Sequence, residues 1–189
     1  MAASRFEVRR GLVLDEANAI GTTYLRAALL PEPHRTEIRA LLRDYVDLRL
    51  EAAQPGMTVP ARERSEEVQG RLWAQAVSVG EKKPTPITGL FIQSLNEVID
   101  LHAKRVTMGM RNHIPITIWG ALYLTAILAT AGVGYHGGLT SPIRTLATLA
   151  LVVIFSGILW LIADLDRPQE GLLKVSQQAM VDLRKSLTP

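Results

Sequence analysis

A guanidinium on an apolar helix face must find either a carboxylate or an anion, and Arg105 is placed for such chemistry. It projects from the side of an expected helix that also carries Leu90, Phe91, Leu95, Val98, Leu101 and Met108. The opposite face of that helix gathers Gln93, Asn96, Glu97, Asp100, Lys104, Thr107 and Arg111. A buried charge left without a partner costs several kcal/mol. Two roles are therefore open to Arg105. It pairs within the protein, with Asp164 or Asp166 the nearest acids by topology, or it attracts anions at the inner mouth of a conduit. Arg167, beside Asp166, belongs to the same group of candidates.

Other reactive types are sparse. The 189 residues include no cysteine, which removes disulfides, thiolate metal sites and thiol catalysis. His102 and His113 are 11 residues apart, roughly 16 Å along a continuous helix, too far to share one metal. Glu63 and Glu67 stand one turn apart, but Arg62, Arg64 and Arg71 surround them. An i, i+4 pair between Glu67 and Arg71 on a solvated face accounts for that pattern. Arg35, Arg39 and Arg43 stack at the same spacing and read as a solvated or salt-bridged face, with the wall of an anion-attracting vestibule the alternative. No nucleophile–base pair, phosphate-binding loop or metal constellation stands out, so neither an enzyme nor a cofactor is expected.

The elements that must position these groups divide into two kinds. From Ile114 to Ile143 there is no Asp, Glu, Lys or Arg, and after Arg144 a second uncharged run extends from Thr145 to Ala163. About 18 or more apolar residues cross roughly 30 Å of hydrocarbon at about 1.5 Å each. The runs predict spans at about 114–135 and 146–163, joined by a turn at Tyr135–Pro142. Trp119, Tyr123, Tyr135 and Trp160 lie near their ends, where amphipathic rings prefer to sit. Thr117, Ala121, Thr125, Ala129 and Gly132 make a stripe of small residues suited to close helix approach, with a pore-lining face the sharper alternative.

Lys104, Arg105 and Arg111 precede this pair and Arg167 and Lys174 follow it, whereas the turn carries Arg144 alone. The positive-inside rule then puts both flanks, and both termini, in the cytoplasm of a multi-pass inner-membrane protein. The first 113 residues hold 16 basic and 14 acidic groups, and the last 26 hold four of each. So even a balance leaves no basic block for nucleic acid. The N-terminus has no apolar run and is not a signal peptide.

Four helices are expected in residues 1–113. The first, Ser4 to Leu29, carries Phe6, Val13, Ala17, Ile20, Tyr24 and Ala27 on one stripe at about 100° per residue, with Asp15, Asn18, Thr22 and Arg26 opposite. Pro31 and Pro33 end it. Gly21 is expected to permit close helix approach, and Asn18 to bond a neighbouring helix. The second runs from His34 to Ala53 and buries Ile38, Leu41, Leu42, Tyr45 and Leu48. The third covers Ala61 to Val79, and Thr85-Pro86 begins the fourth. Past the spans, Pro168 and Gly171 mark a turn. Ser176 to Leu187 follows as an amphipathic helix with Ala179, Met180, Leu183 and Leu187 on one side. The fold class is an all-α membrane protein: a cytoplasmic bundle (1–113), a transmembrane hairpin (114–164) and a cytoplasmic C-terminal turn and helix (165–189).

Leu14-Asp-Glu-Ala-Asn-Ala-Ile-Gly-Thr-Thr-Tyr-Leu-Arg26, Leu30-Pro-Glu-Pro33 and Leu41-Leu-Arg-Asp-Tyr45 resemble the bestrophin-like family of bacterial and plant membrane proteins. Ile114-Pro-Ile-Thr-Ile-Trp119 and Asp166-Arg-Pro-Gln-Glu-Gly171 match its pattern in the same order. The resemblance singles out Glu16, Asn18, Gly21, Arg26, Pro115, Trp119, Pro168 and Gly171. It implies a helical domain between two transmembrane pairs, as in bestrophin anion channels, and hence a homo-oligomer in a lipid bilayer that handles small anions. The non-conducting alternative is a membrane-anchored helical scaffold. Met1-Ala-Ala-Ser-Arg-Phe6 falls where the family's second hydrophobic helix would leave the membrane and reads as an internal start. The acidic calcium clasp of animal bestrophins is not reproduced, because Asp164, Asp166 and Glu170 are sparser and interrupted by Arg167.

Overall fold

The computed structural model describes residues 2–54, 56–110, 115–140, 145–166 and 175–187. Among them the chain is all helical, in the order α1 (Ala2–Ala27), α2 (His34–Glu51), α3 (Thr58–Lys82), α4 (Pro86–Met110), α5 (Ile116–Thr140), α6 (Thr145–Asp166) and α7 (Gln178–Ser186).

α1 forms because its apolar residues recur every three or four positions, and that stripe is buried at Val13, Ala17, Ile20, Tyr24 and Ala27. Three successive turn hydrogen bonds, to the carbonyls of Leu25, Arg26 and Ala27, close its end before Pro31. α2 begins at His34 as expected and stops at Glu51, two residues early. Gly56, at φ +79°, then reverses the chain, a conformation that L side chains resist. The start of α4 is capped by Thr85, whose Oγ1 accepts from the Thr88 amide at 3.2 Å. Pro86 takes the first helical position, where its missing donor costs nothing.

α1 and α4 run antiparallel. Arg9 Nε donates to the Met108 carbonyl at 3.2 Å, and 17 residues along α1 the Arg26 guanidinium donates to the Leu90 carbonyl at 2.7 Å. α2 and α3 are antiparallel as well, with His34 bonded to Gln75 and Tyr45 to Gln69. One core joins these four helices to α7: Ile20, Tyr45, Leu72, Phe91, Leu95 and Met180 are among its best-buried side chains. The Arg62–Glu66 pair at 2.7 Å forms the i, i+4 bridge on α3, while Glu67 and Arg71 are both exposed. Arg35 bonds Glu32, and Arg39 lies 4.2 Å above the Tyr24 ring.

α7 docks on α1 and α2 rather than trailing free. Met180 and Leu187 are buried, the Tyr24 hydroxyl donates to the Leu187 carbonyl at 3.2 Å, and Arg184 reaches Asp47 at 2.7 Å. A Cβ on Gly21 would stand 3.3 Å from Leu183 Cδ1, so the glycine is where α7 closes on α1.

α5 and α6 pack on each other and differ from the rest. Ile116–Tyr135 is 20 residues long, has a mean hydropathy of 1.7 and buries none of its most apolar window. By length and composition it can cross a membrane. Among its described residues, α6 (Thr145–Asp166) has its apolar stretch at Leu149–Asp164. α5 continues helical to Thr140, through most of the turn expected at Tyr135–Pro142, whose last two residues lie outside the described ones. Thr117, Ala121 and Thr125 of the small-residue stripe face Phe155, Ile158 and Ile162 across a groove of about 390 Å³. The hydroxyls of Thr125 and Thr130 donate to carbonyls four residues back, at 2.8 and 2.7 Å.

Candidate functional site

The buried face of α1 is interrupted by Arg9, Glu16 and Thr23, and Glu16 is its one buried acid. Glu16 falls among Val13, Ala17 and Ile20, and its side chain is 0% exposed. A carboxylate there would be strongly unfavourable alone, so other helices must supply its partners. α4 supplies Arg105, which forms an ion pair and hydrogen bond with Glu16 Oε2. α2 supplies Arg49, with Nε 3.1 Å from Glu16 Oε1. That second contact is a charge contact whose direction falls off the hydrogen-bond axis, since Arg49 Nε has no hydrogen-bond acceptor. α2 also supplies Tyr45, whose hydroxyl donates to Glu16 Oε1 at 2.8 Å.

The network extends through Tyr45. Gln69 of α3 donates to the Tyr45 oxygen at 3.1 Å, and His102 Nδ1 of α4 lies 3.0 Å from it. Arg105 carries a weaker contact, 3.4 Å, to Gln177 just before α7. Every helix of the polar bundle, and the segment leading into α7, therefore meets at one cluster. Two guanidiniums share one carboxylate.

The surroundings set the charge states. Burial pushes the Glu16 carboxyl up, but Arg49 and Arg105 outweigh it and hold it below the usual carboxylate range. Burial, then the Glu16 charge, raises Tyr45 well above its ordinary value, so it stays a neutral donor. Burial and then Arg49 push His102 down to about 4. The imidazole is neutral at physiological pH.

This geometry corrects the expected partner of Arg105. The pairing acid is Glu16, not Asp164, which is half-buried at the end of α6. The Asp166 side chain and all of Arg167, Pro168 and Gly171 lie outside the described residues. The reason is topological: α4 runs back along α1, so its last turns meet the first half of α1. Among the other motif positions, Arg26 ties α1 to α4 through Leu90. Pro115 precedes α5 and accepts from the Ile118 amide at 2.9 Å. Trp119 stacks on Tyr123 with ring centroids 5.8 Å apart. Gly21 packs toward Leu183, but Asn18 is exposed and, among the described residues, does not bond a neighbouring helix. Arg49, Gln69 and Gln177 went unread as site residues. The signal for Arg49 was present, since it continues the buried α2 stripe of Ile38, Leu41, Leu42 and Tyr45.

The arrangement defines a helical bundle locked by a buried ion triad and carrying two apolar helices that the bundle leaves uncovered. The family model of the Bestrophin-like domain matches residues 2–180, and the chain belongs to that family. No curated protein and no solved structure matches it.

Proposed function

We propose that the chain is an integral membrane protein that assembles with copies of itself and conducts small anions, with α1–α4 and α7 in the cytoplasm. The observation that carries the membrane reading is the bare surface of α5: Ile116–Tyr135 is uncharged and unburied. Water would oppose such a surface, at about 25 cal/mol for each Å² left exposed, and lipid would not. The satisfied threonine hydroxyls of α5 agree with a lipid environment, where an unmet donor is costly.

The docking of α7 favours two crossings over one. A single crossing by α5 would carry α7 to the side opposite α1, where it could not pack. α6 must then return the chain, and its uncharged run from Thr145 to Ala163 supplies the length to do so. Membership of the bestrophin-like family favours an anion conduit.

Arg105 favours a second reading, a non-conducting membrane scaffold, because its guanidinium turns inward to Glu16 rather than toward an axial path. Reconstitution decides between them. The purified protein, sized in nanodiscs and then placed in chloride-loaded liposomes, should form a closed ring and release chloride. A ring without release leaves the scaffold, and a protein that fails to insert removes both readings.

A further inference from the structure

The hydrogens of the cluster are fixed by elimination. Glu16 is ionised and can only accept, so the Tyr45 hydroxyl spends its single proton on Glu16 Oε1. The Tyr45 oxygen then has two lone pairs. Gln69 Nε2 donates to one. His102 Nδ1, 3.0 Å away, fills the other and must carry the proton to do so. The remaining ring nitrogen of His102, Nε2, is therefore an unprotonated lone pair. It is buried and has no hydrogen-bond partner, in a residue only 3% exposed.

We propose that His102 Nε2 is a proton-binding site, and that filling it from solvent loosens α4 from α1 and α2, so that the bundle is acid-sensitive by construction. The charges facing the ring come from every packed element: Glu16 from α1, Arg49 and neutral Tyr45 from α2, Gln69 and the more distant Glu66 from α3, and Arg105 from α4 itself. With the ring neutral, Glu16, Arg49 and Arg105 sum to one positive charge. The imidazolium would raise this to two around a single buried carboxylate. α4 has the most to lose, because it carries both His102 and Arg105.

The sign follows from the two states of the ring. In the closed bundle His102 binds its proton only near pH 4, while in an opened one it binds near 6.5. Between those values the opened state holds one more proton, so falling pH favours opening, about tenfold for each pH unit. Above pH 6.5 the device is silent.

Histidine NMR on the full chain in nanodiscs tests this, with the His102 signal assigned by its loss in His102→Asn. Asparagine keeps an N–H for Tyr45 and has nothing to protonate. At pH 7 the His102 ring should be the Nδ1–H tautomer, and it should titrate far below the ordinary histidine range. Amide exchange along α4, corrected for its intrinsic pH dependence, should report opening that rises toward tenfold per unit from pH 6.5 to 4. In His102→Asn it should stay flat. An Nε2–H tautomer, titration near 6.5 in the folded protein, or equal pH dependence in both proteins would overturn the proposal. Should the variant fail to fold, single Gln replacements of His34, His113 and His136 assign the other three histidine signals, and the tautomer and titration of the remaining one decide alone. None of these readouts depends on whether the chain conducts.

Discussion

Glu16 and Arg105 lie 89 residues apart in the chain and meet inside the bundle as an ion pair, with the Glu16 side chain fully withdrawn from solvent. Arg49 approaches the same carboxylate from the other side, and this sharing makes the two partners unequal. The acid is indispensable, because its loss strands two cations. Either cation is less so, because the acid keeps the other.

Glu16→Gln should therefore destabilise the full chain in detergent by about 3–5 kcal/mol. Arg105→Leu should cost less, about 1–3 kcal/mol, the worth of hydrogen bonds to one charged group. The double variant should fall short of the sum, since removing Arg105 relieves part of what Glu16→Gln leaves unpaired. Denaturant midpoints of the four proteins check this. An Arg105→Leu penalty equal to that of Glu16→Gln would mean that Arg49 does not hold the carboxylate.

Tyr45→Phe keeps the ring and deletes the oxygen that serves three partners at once. Gln69 and His102 would each lose an acceptor in a buried setting. A loss of about 2–4 kcal/mol is expected, toward the upper end of single-hydroxyl deletions. His102, released from donating at Nδ1, should also change tautomer, which the same histidine spectra report.

Gly21→Ala places a methyl against the tip of Leu183, a flexible side chain on a short helix. The gain in helix propensity, about 1 kcal/mol, offsets that crowding, so stability should stay within about 1 kcal/mol of the parent. Gly21→Leu cannot be accommodated and should expel α7. Limited trypsin digestion reads the difference at Arg184 and Lys185: slow cleavage in the alanine variant, rapid cleavage in the leucine variant.

The native chain lacks cysteine, so single cysteines report topology without background. Gly70 is exposed on α3 and Gly138 is exposed near the end of α5, and a Cβ at either meets open space. Impermeant maleimide should reach Gly138→Cys from outside intact cells and Gly70→Cys only after lysis. Labelling of both from outside would remove the cytoplasmic bundle.

The helices of the polar region were legible because each buries a stripe at helical spacing, and Pro31, Pro33 and Pro86 punctuate them. Thr85 was legible as a cap for the same local reason. The partner of Arg105 was not, because proximity across 89 residues depends on which helices run side by side, and periodicity is silent on that. Chain-order reasoning pointed instead to the acids at the end of α6. One local clue did exist. Glu16, Arg49, His102 and Arg105 each break an apolar stripe on a different turn of α1, α2 and α4. Charged residues that interrupt three separate stripes are candidates for one another. Asn18 misled for the opposite reason: its place in a specific motif suggested a contact, yet it sits on the outward face of α1.

The closure of the core by α7 has a consequence for the order in which the protein can be made. Met180 fills the core beside Ile20 and Tyr45, and the Tyr24–Leu187 hydrogen bond joins residues 163 positions apart. Both halves of that contact cannot exist until the ribosome has passed the two apolar helices. During synthesis α1–α4 must wait with an open seam, exposing apolar surface where Met180 and Leu187 will later sit, and closing so long a loop adds an entropic delay that grows with its length. Assembly of the polar bundle is thus gated by completion of the two apolar helices, and a nascent chain in which they are misplaced also leaves its polar half unfinished.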